Sequence, residues 1–333
     1  MKNLQEFLSD YQVSRNLIEL IQSIANTGIE LQQILRMSSV RHIPNQVASW
    51  NIHGEQQEQI DLLADQLFSQ AMKRQPHVQA FASEEQDNFQ TAQVDGEYLV
   101  CFDPLDGSSN IAVHGSIGTI FSILPTRSNQ VSTEDFYQQG HQQCASGYLL
   151  YGSTIHLMLT TKQGTHLFYL DDKEQFILVK EHLKIPQHTN EVAINIAHLK
   201  YFKPSMRAYI QEVLQGKIGP RNKDFNMRWL GSMVGDIHRI LLRGGMFSYP
   251  ALSKNPEQPH KLRLMYEANP MALLIEQAGG TSHNHQQSIL DIQPTSIHQR
   301  ISVTMGSSYE VNYCLQSEKG SVQTSDFQEQ TVV

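Results

Sequence analysis

The chain has 333 residues, of which 40% are hydrophobic and 17% charged; that balance fits a globular fold and excludes a disordered chain or a coiled coil. Its length calls for two domains or one large α/β unit. A net charge of −8 lacks the basic stripe that a nucleic-acid backbone demands, so nucleic acid is excluded as a partner, and any bound anion would need cations or a few placed Arg and Lys.

The first residues, MKNLQEFLSDYQ, are too polar for a signal peptide, and no apolar run approaches the roughly 18 residues of a membrane span. The expectation is a cytoplasmic protein with no membrane partner. Cys101, Cys144 and Cys314 are scattered, with neither a disulfide framework nor zinc spacing.

In chain order, Leu17, Leu20, Ile21, Ile24, Ile29, Leu31, Ile34 and Leu35 recur at helical spacing and predict a helix over 14–37. The polar stretch Ser38–Gly54, broken by Pro44, predicts a mobile loop; Trp50 within it reads equally as an interface anchor or as chance. Ile60, Leu63 and Leu67 form the stripe of a second helix over 55–72. Seven strand-like runs follow at 78–82, 98–102, 117–124, 147–151, 155–160, 166–170 and 176–179, a meander that predicts a largely antiparallel or mixed sheet. Beyond about Glu191 helices (203–214, 228–243, 266–278) alternate with strands (245–248, 300–306). The polar, Pro-containing segment 180–192 predicts a junction, giving an N-terminal domain over 1–190, a C-terminal domain over 191–318 and a loose tail over 319–333.

The segment YLVCFDPLDGSSN (98–110) concentrates the chemistry. An apolar strand ends at Asp103, Pro104 holds that residue extended, and Asp106-Gly107 turns the chain. Two carboxylates with the Leu105 carbonyl between them offer the hard oxygen ligands that magnesium prefers. Gly107, Ser108 and Ser109 then form a small-residue turn whose backbone N–H groups can cradle an anion. A lone Asp-Gly or Ser-Ser would be a turn or a cap, but the combination behind a buried strand points to a site. Glu84 and Glu85 close another short strand; alone they read as a surface charge cluster. Glu267 sits beside a strongly apolar helix marked by Asn269 and Pro270, and an acid there needs a partner. Cys101, on the buried strand, reads as a small core residue, and His238 and His298 as structural hydrogen-bonding groups.

With these residues assembled, the sequence resembles the class I fructose-1,6-bisphosphatases over residues 12–310. The resemblance rests on ASEEQD (82–87), CFDPLDGSSNI (101–111), SIGTIFSI (116–123), RWLGSMVGDIHR (228–239), GGMFSYP (244–250), KLRLMYEANPMA (261–272), EQAGG (276–280) and LDIQPTSIHQR (290–300). It implies a layered α/β sugar-phosphatase fold with alternating helix and mixed-sheet layers and two subdomains, usually a homotetramer. The implied reaction is magnesium-dependent hydrolysis of the 1-phosphate of fructose 1,6-bisphosphate, a step of gluconeogenesis, with two or three magnesium ions per subunit and Mn2+ or Zn2+ as substitutes. By motif position, Glu84, Asp103, the Leu105 carbonyl, Asp106 and Glu267 would bind metal. Glu85 with Asp61 would activate the attacking water, and Asp106 with the amides of Gly107, Ser108 and Ser109 would meet the 1-phosphate. Asn195, Trp229, Tyr249 and Lys261 would hold the sugar and 6-phosphate, with Arg228 reaching in from a neighbouring subunit.

The chain departs from that pattern at several positions. Ala112 stands where the family has an aspartate, Trp229 where it has a tyrosine, and Asn195-Ile-Ala-His198 where it has an NEGY segment. Its usual AMP loop reads Ser14-Arg15-Asn16, with Glu97 and Pro125 in place of two basic residues, so AMP is expected to inhibit weakly or not at all. The alternatives are a sedoheptulose-1,7-bisphosphatase, an inositol-phosphate phosphatase, or a non-catalytic sugar-phosphate sensor.

Overall fold

The computed structural model describes residues 2–40 and 52–318. Three helices come first, α1 (Leu4–Asp10), α2 (Arg15–Val40) and α3 (Ile52–Arg74). The meander follows as β1 (Val78–Ser83), β2 (Gln90–Thr91), β3 (Tyr98–Asp106), β4 (Ile117–Pro125), β5 (Ala145–Tyr151), β6 (Ile155–Thr160), β7 (His166–Leu170) and β8 (Phe176–Lys180). These pair in the order β2-β1-β3-β4-β5-β6-β7-β8. Only β1 and β3 run parallel; the other neighbours are antiparallel.

The second half holds β9 (Glu191–Ala193), α4 (Pro204–Gln215), β10 (Asn226–Met227), α5 (Met233–Arg243) and β11 (Met246–Tyr249), then β12 (Leu262–Arg263), α6 (Asn269–Gln277) and β13 (Thr281–His283), and finally β14 (Arg300–Ile301), β15 (Val303–Gly306) and α7 (Ser308–Glu318). A second sheet runs β10-β9-β11-β15-β13, and β12 pairs with β14 apart from it.

Strand alternation builds the layers. In β4 and β5, Phe121 and Leu149 face the helices α1–α3, whereas Ile120 and Tyr148 face α5 and α6. In α3 the contacts come from Ile60, Ala64, Phe68 and Met72, a four-residue spacing that keeps them on one stripe. The second sheet alternates likewise: Ala193 and Phe247 join the α5–α6 core, and Val192 and Met246 pack on α4 and α7. The result is five layers, helix–sheet–helix–sheet–helix. Strands covered on both faces explain the near-continuous apolar runs of the sequence.

Several elements differ from the sequence expectation. Helix α1 was not expected, although Asn3 and Glu6 form a reciprocal capping box at its start (2.9 and 3.0 Å). Parts of the expected loop Ser38–Gly54 belong to α2 and α3; residues 41–51, Trp50 among them, and the tail 319–333 lie outside the described residues. The helix expected from 228 starts only at Met233. Gly231 takes a left-handed φ of +77°, Ser232 caps the helix, and Asp236 turns back to accept from the Leu230 N–H (3.1 Å), which holds 228–232 out of helical geometry. The expected strand 300–306 is split between β14 and β15.

Helix α7, which was not expected, ends the described residues at Glu318. Its Glu310, fully buried, takes a bidentate pair from Arg221 (2.9 and 2.7 Å) and a hydrogen bond from the Tyr209 hydroxyl (2.7 Å). The Arg221 guanidinium also lies 3.8 Å from the Tyr313 ring.

Gly118 sets how closely α5 approaches the first sheet. A Cβ there would lie 2.3 Å from the Leu149 carbonyl oxygen and 3.0 Å from Val234 Cγ2. A backbone oxygen inside a paired strand cannot move aside, so Gly118→Ala is expected to cost about 1–3 kcal/mol. A urea titration checks this: the midpoint should fall with an unchanged m-value, and an unmoved midpoint would contradict the packing described.

Candidate active site

A cavity of about 420 Å³ opens between the first sheet and the elements of the second half. Strand β3 delivers its acids by a bulge. Asp103 pairs with Ile120 and Asp106 with Gly118, so three steps along β3 match two along β4. In a regular strand residues three apart point to opposite faces; the extra residue restores a common side. The sequence suggested a turn at this point, but the backbone stays in the sheet and the bulge does the work. The Leu105 N–H donates to Asp103 Oδ1 at 2.9 Å.

Glu84 and Glu85 follow the end of β1, where the Glu84 N–H bonds to the Phe102 carbonyl (3.1 Å) and the Glu85 N–H to Ser83 Oγ (3.3 Å). Glu267 comes from a π-helical turn, Leu264–Ala268, that runs into α6. Its Oε2 accepts from the Arg263 N–H at 2.6 Å, and the Arg263 Nε lies 3.4 Å from Glu84 Oε1. One carboxylate oxygen each from Glu84, Asp103 and Glu267 falls within 4.8 Å of the others. Asp106 is held differently: its Oδ2 accepts from Ser232 Oγ and from the Val234 N–H, both at 2.8 Å, at the start of α5.

Electrostatics here is governed by burial. Burial first, then the neighbouring acids, push Asp103 and Glu267 well above the usual carboxylate range. Glu84 and Asp106 are raised chiefly by burial, and Glu85 by burial and by Asp65 on α3. Asp236 is pushed up to about 7, again mainly by burial. Five carboxylates line the cavity (Glu84, Glu85, Asp103, Asp106, Glu267) against one lining cation, Lys261. A buried all-oxygen set so short of positive charge fits a hard divalent cation.

The anion-facing wall is Gly107, Ser108 and Ser109. Gly107 has a φ of +77° and leads into a 3-10 turn, Ser108–Val113. A Cβ at Gly107 would meet Ser232 Cβ at 2.7 Å and the Ser116 carbonyl at 2.8 Å, so both conformation and space require glycine.

Asn195, Trp229, Tyr249 and Lys261 line the same cavity. Trp229 stacks on Phe247 (5.9 Å between centroids, 4° between planes), and Lys261 Nζ lies 5.7 Å from the Tyr249 ring centre. Asp61 and Arg228 do not line it. Asp65, one turn along α3 from Asp61, is the helix acid that acts electrostatically on Glu85; it accepts from the Gln86 side chain at 2.7 Å. Sequence reasoning missed Arg263, Ser232 and Asp236. Arg263 was the most accessible of these, being a charge within the apolar run LRLMY, four residues before Glu267.

Fold and cavity together define a layered α/β protein with an acidic cleft suited to a divalent cation and an anion. Residues 4–181 match the family described as "Fructose-1-6-bisphosphatase, N-terminal domain" and residues 185–319 its C-terminal domain. The chain therefore belongs to the fructose-1,6-bisphosphatase family. It is 46% identical over 317 residues to "Fructose-1,6-bisphosphatase class 1" of Shewanella halifaxensis, covering 95% of this chain and 96% of that one. With the Shewanella amazonensis protein of the same description it shares 45% over 316 residues, covering 95% and 99%. Leishmania major fructose-1,6-bisphosphatase in holo form superposes with a TM-score of 0.87 at 32% identity, covering 96% of this chain and 99% of that one. Among the described residues no helix is long and apolar enough to cross a membrane.

A carboxyl raised by folding keeps its proton more tightly in the folded chain than in the unfolded one. Above the ordinary Glu value the folded state is then penalised, and stability falls as pH rises. Glu267→Gln removes that penalty while keeping an oxygen for the Arg263 N–H. In EDTA it should raise Tm by about 2 °C or more at pH 8 and have little effect at about pH 3, well below the ordinary Glu value, where Glu267 is protonated in both states. A lower Tm at pH 8 in a calorimetric scan would contradict the electrostatic account.

Proposed function

We propose that this chain hydrolyses the 1-phosphate of fructose 1,6-bisphosphate to give fructose 6-phosphate and phosphate, the reaction that gluconeogenesis requires. The observation that carries the reading is the meeting of Glu84, Asp103 and Glu267 oxygens within 4.8 Å in a cavity that also holds Gly107–Ser109 and Lys261. A volume of about 420 Å³ falls within the range of small-molecule sites.

Glu84, Asp103, the Leu105 carbonyl, Asp106 and Glu267 would hold two or three magnesium ions, or Mn2+ or Zn2+ in their place. Such ions neutralise phosphate oxygens and the leaving alkoxide and lower the pKa of water. Glu85, its carboxyl raised by burial and by Asp65, lines the cavity beside the other acids and would take a proton from the attacking water. Asp61, on the same helix as Asp65, would help to orient that water. The amides of Gly107, Ser108 and Ser109 would donate to the 1-phosphate, with Asp106 beside them. Asn195, Trp229, Tyr249 and Lys261 hold the sugar and the second phosphate.

The proposal includes a homotetramer in which Arg228 serves a neighbouring subunit; its position outside the cavity lining of its own chain supports that part. It also includes a two-unit organisation divided at residue 190, supported by the change of sheet there, and a cytoplasmic location. Weak or absent inhibition by AMP is supported by the contacts at the corresponding residues. The Asn16 side-chain amide donates to Glu97 at 2.6 Å, and Ser14 Oγ lies 3.0 Å from the Tyr98 hydroxyl.

Phosphate release from fructose 1,6-bisphosphate, sedoheptulose 1,7-bisphosphate and an inositol monophosphate, each with magnesium and with EDTA, tests the reading. The first should be the best substrate and EDTA should abolish turnover; magnesium-independent release would contradict the metal assignment. Glu85→Gln should lower kcat by about 10²–10⁴, and a loss below tenfold would remove Glu85 from its role. Titration with AMP should leave the rate nearly unchanged, and half-inhibition in the low micromolar range would reject that part.

A further inference from the structure

A second cavity, of about 560 Å³, borders the first through three continuous chain segments. Asn195 lines the first and opens the 3-10 turn Ile196–Tyr201, whose Lys200 and Tyr201 line the second. Strand β11 ends with Tyr249 in the first and continues as Pro250–Leu252 in the second. Lys261 lines the first and His260 the second.

The two cavities are opposite in charge. Among the described residues no Asp or Glu lines the second, and its walls carry Lys200, Lys203 and Arg207. Among the described residues, none of these three cations takes part in an ion pair. Such a concentration is unusual in a chain of net charge −8; Lys200 Nζ lies 4.9 Å from the Tyr201 ring centre, and cations outside any ion pair focus the field on an incoming anion. The first turn of α4 contributes in the same sense: it contains no acid, and its positive end adds to Lys203 and Arg207. The floor is apolar, formed by Tyr201, Phe202, Met206 and Leu252, the last three buried. His260 Nδ1 lies 3.0 Å from Ser302 Oγ, so the polar group at this edge is already ordered. A cationic rim over an aromatic and aliphatic floor suits an anion with an apolar body; a bare inorganic ion would leave the floor uncovered.

We infer that this second cavity is an effector site for a small organic anion, a phosphate ester or a carboxylate carrying an apolar group. Occupancy is transmitted along the three shared segments to Asn195, Tyr249 and Lys261, so it changes KM more than kcat. The binding half stands independently of the phosphatase reading; only the KM half rests on it.

The test uses the full chain and three probes: phenylphosphonate, benzoate and inorganic phosphate. Calorimetric titration is carried out in EDTA on the wild type and on the Lys203→Ala/Arg207→Ala variant, whose two replaced side chains are exposed. Phenylphosphonate or benzoate should bind the wild type saturably, at least tenfold more tightly than inorganic phosphate and at least tenfold more tightly than they bind the variant. Whichever binds more tightly identifies the headgroup. Lys200→Ala should weaken binding in the same direction. Equal titrations for wild type and double variant, or no saturation, would overturn the site. A changed sedimentation coefficient for the double variant would also overturn it, by making this face a subunit contact. In turnover assays the tighter probe should shift the wild-type KM for fructose 1,6-bisphosphate at least twofold and leave that of the variant unmoved; equal shifts, or none, would overturn the effector role.

Discussion

The constraint on which this structure turns is mutual repulsion among buried carboxylates. Glu84, Asp103 and Glu267 bring oxygens within 4.8 Å of one another, and at that separation two full charges repel by about 3 kcal/mol for an effective dielectric constant of 20. A hydrogen bond contributes only about 1 kcal/mol net, so those from the Arg263 and Leu105 N–H groups cannot offset three such pairs, and the Arg263 guanidinium is paired with only one of the three acids, Glu84, at 3.4 Å. Burial first, and this repulsion second, raise the pKa values of Asp103 and Glu267 well above the usual carboxylate range. A divalent ion held by these acids would displace protons and offset the repulsion.

Each acid is placed by a separate departure from regular structure. A bulge brings Asp103 and Asp106 to one side of β3, a π-helical turn carries Glu267 towards them, and the end of β1 supplies Glu84 and Glu85. The start of α5 then fixes Asp106 through Ser232 and Val234, an approach that Gly118 permits. Asp236 anchors the preceding turn at Leu230, and that turn presents Trp229 and Gly231 to the cavity. The five layers hold these irregular pieces rigidly, because each is continuous with an element buried on both faces.

This division also explains what could be read from the sequence. Strands β1 and β3–β6 were legible because apolar runs bounded by polar residues signal covered strands, the more exposed β7 and β8 by their β-branched and aromatic residues, and α2 because its apolar residues keep a helical period. The acids at 84, 103, 106 and 267 were legible because charge at the edge of an apolar run is conspicuous. The bulge was not, since counting residues cannot distinguish a turn from an extra residue inside a ladder. The late start of α5 was hidden because Arg228–Leu230 continue the apolar period while Gly231 and Asp236 break it through backbone geometry. Helix α7 escaped because its anchors are distant in sequence: Arg221 grips Glu310, and Val311 and Cys314 pack with α4. Asp65 escaped for a similar reason, its influence on Glu85 depending on how α3 packs against β1.

The central claim is that these acids are held together for divalent cations, and manganese binding with proton counting tests it most directly. Wild type should bind at least one Mn2+ per chain in equilibrium dialysis and release protons as it does so, while Asp103→Asn/Glu267→Gln should bind at least tenfold more weakly with little proton release. Equal binding by the two proteins, or binding to the wild type with no protons released, would contradict the account.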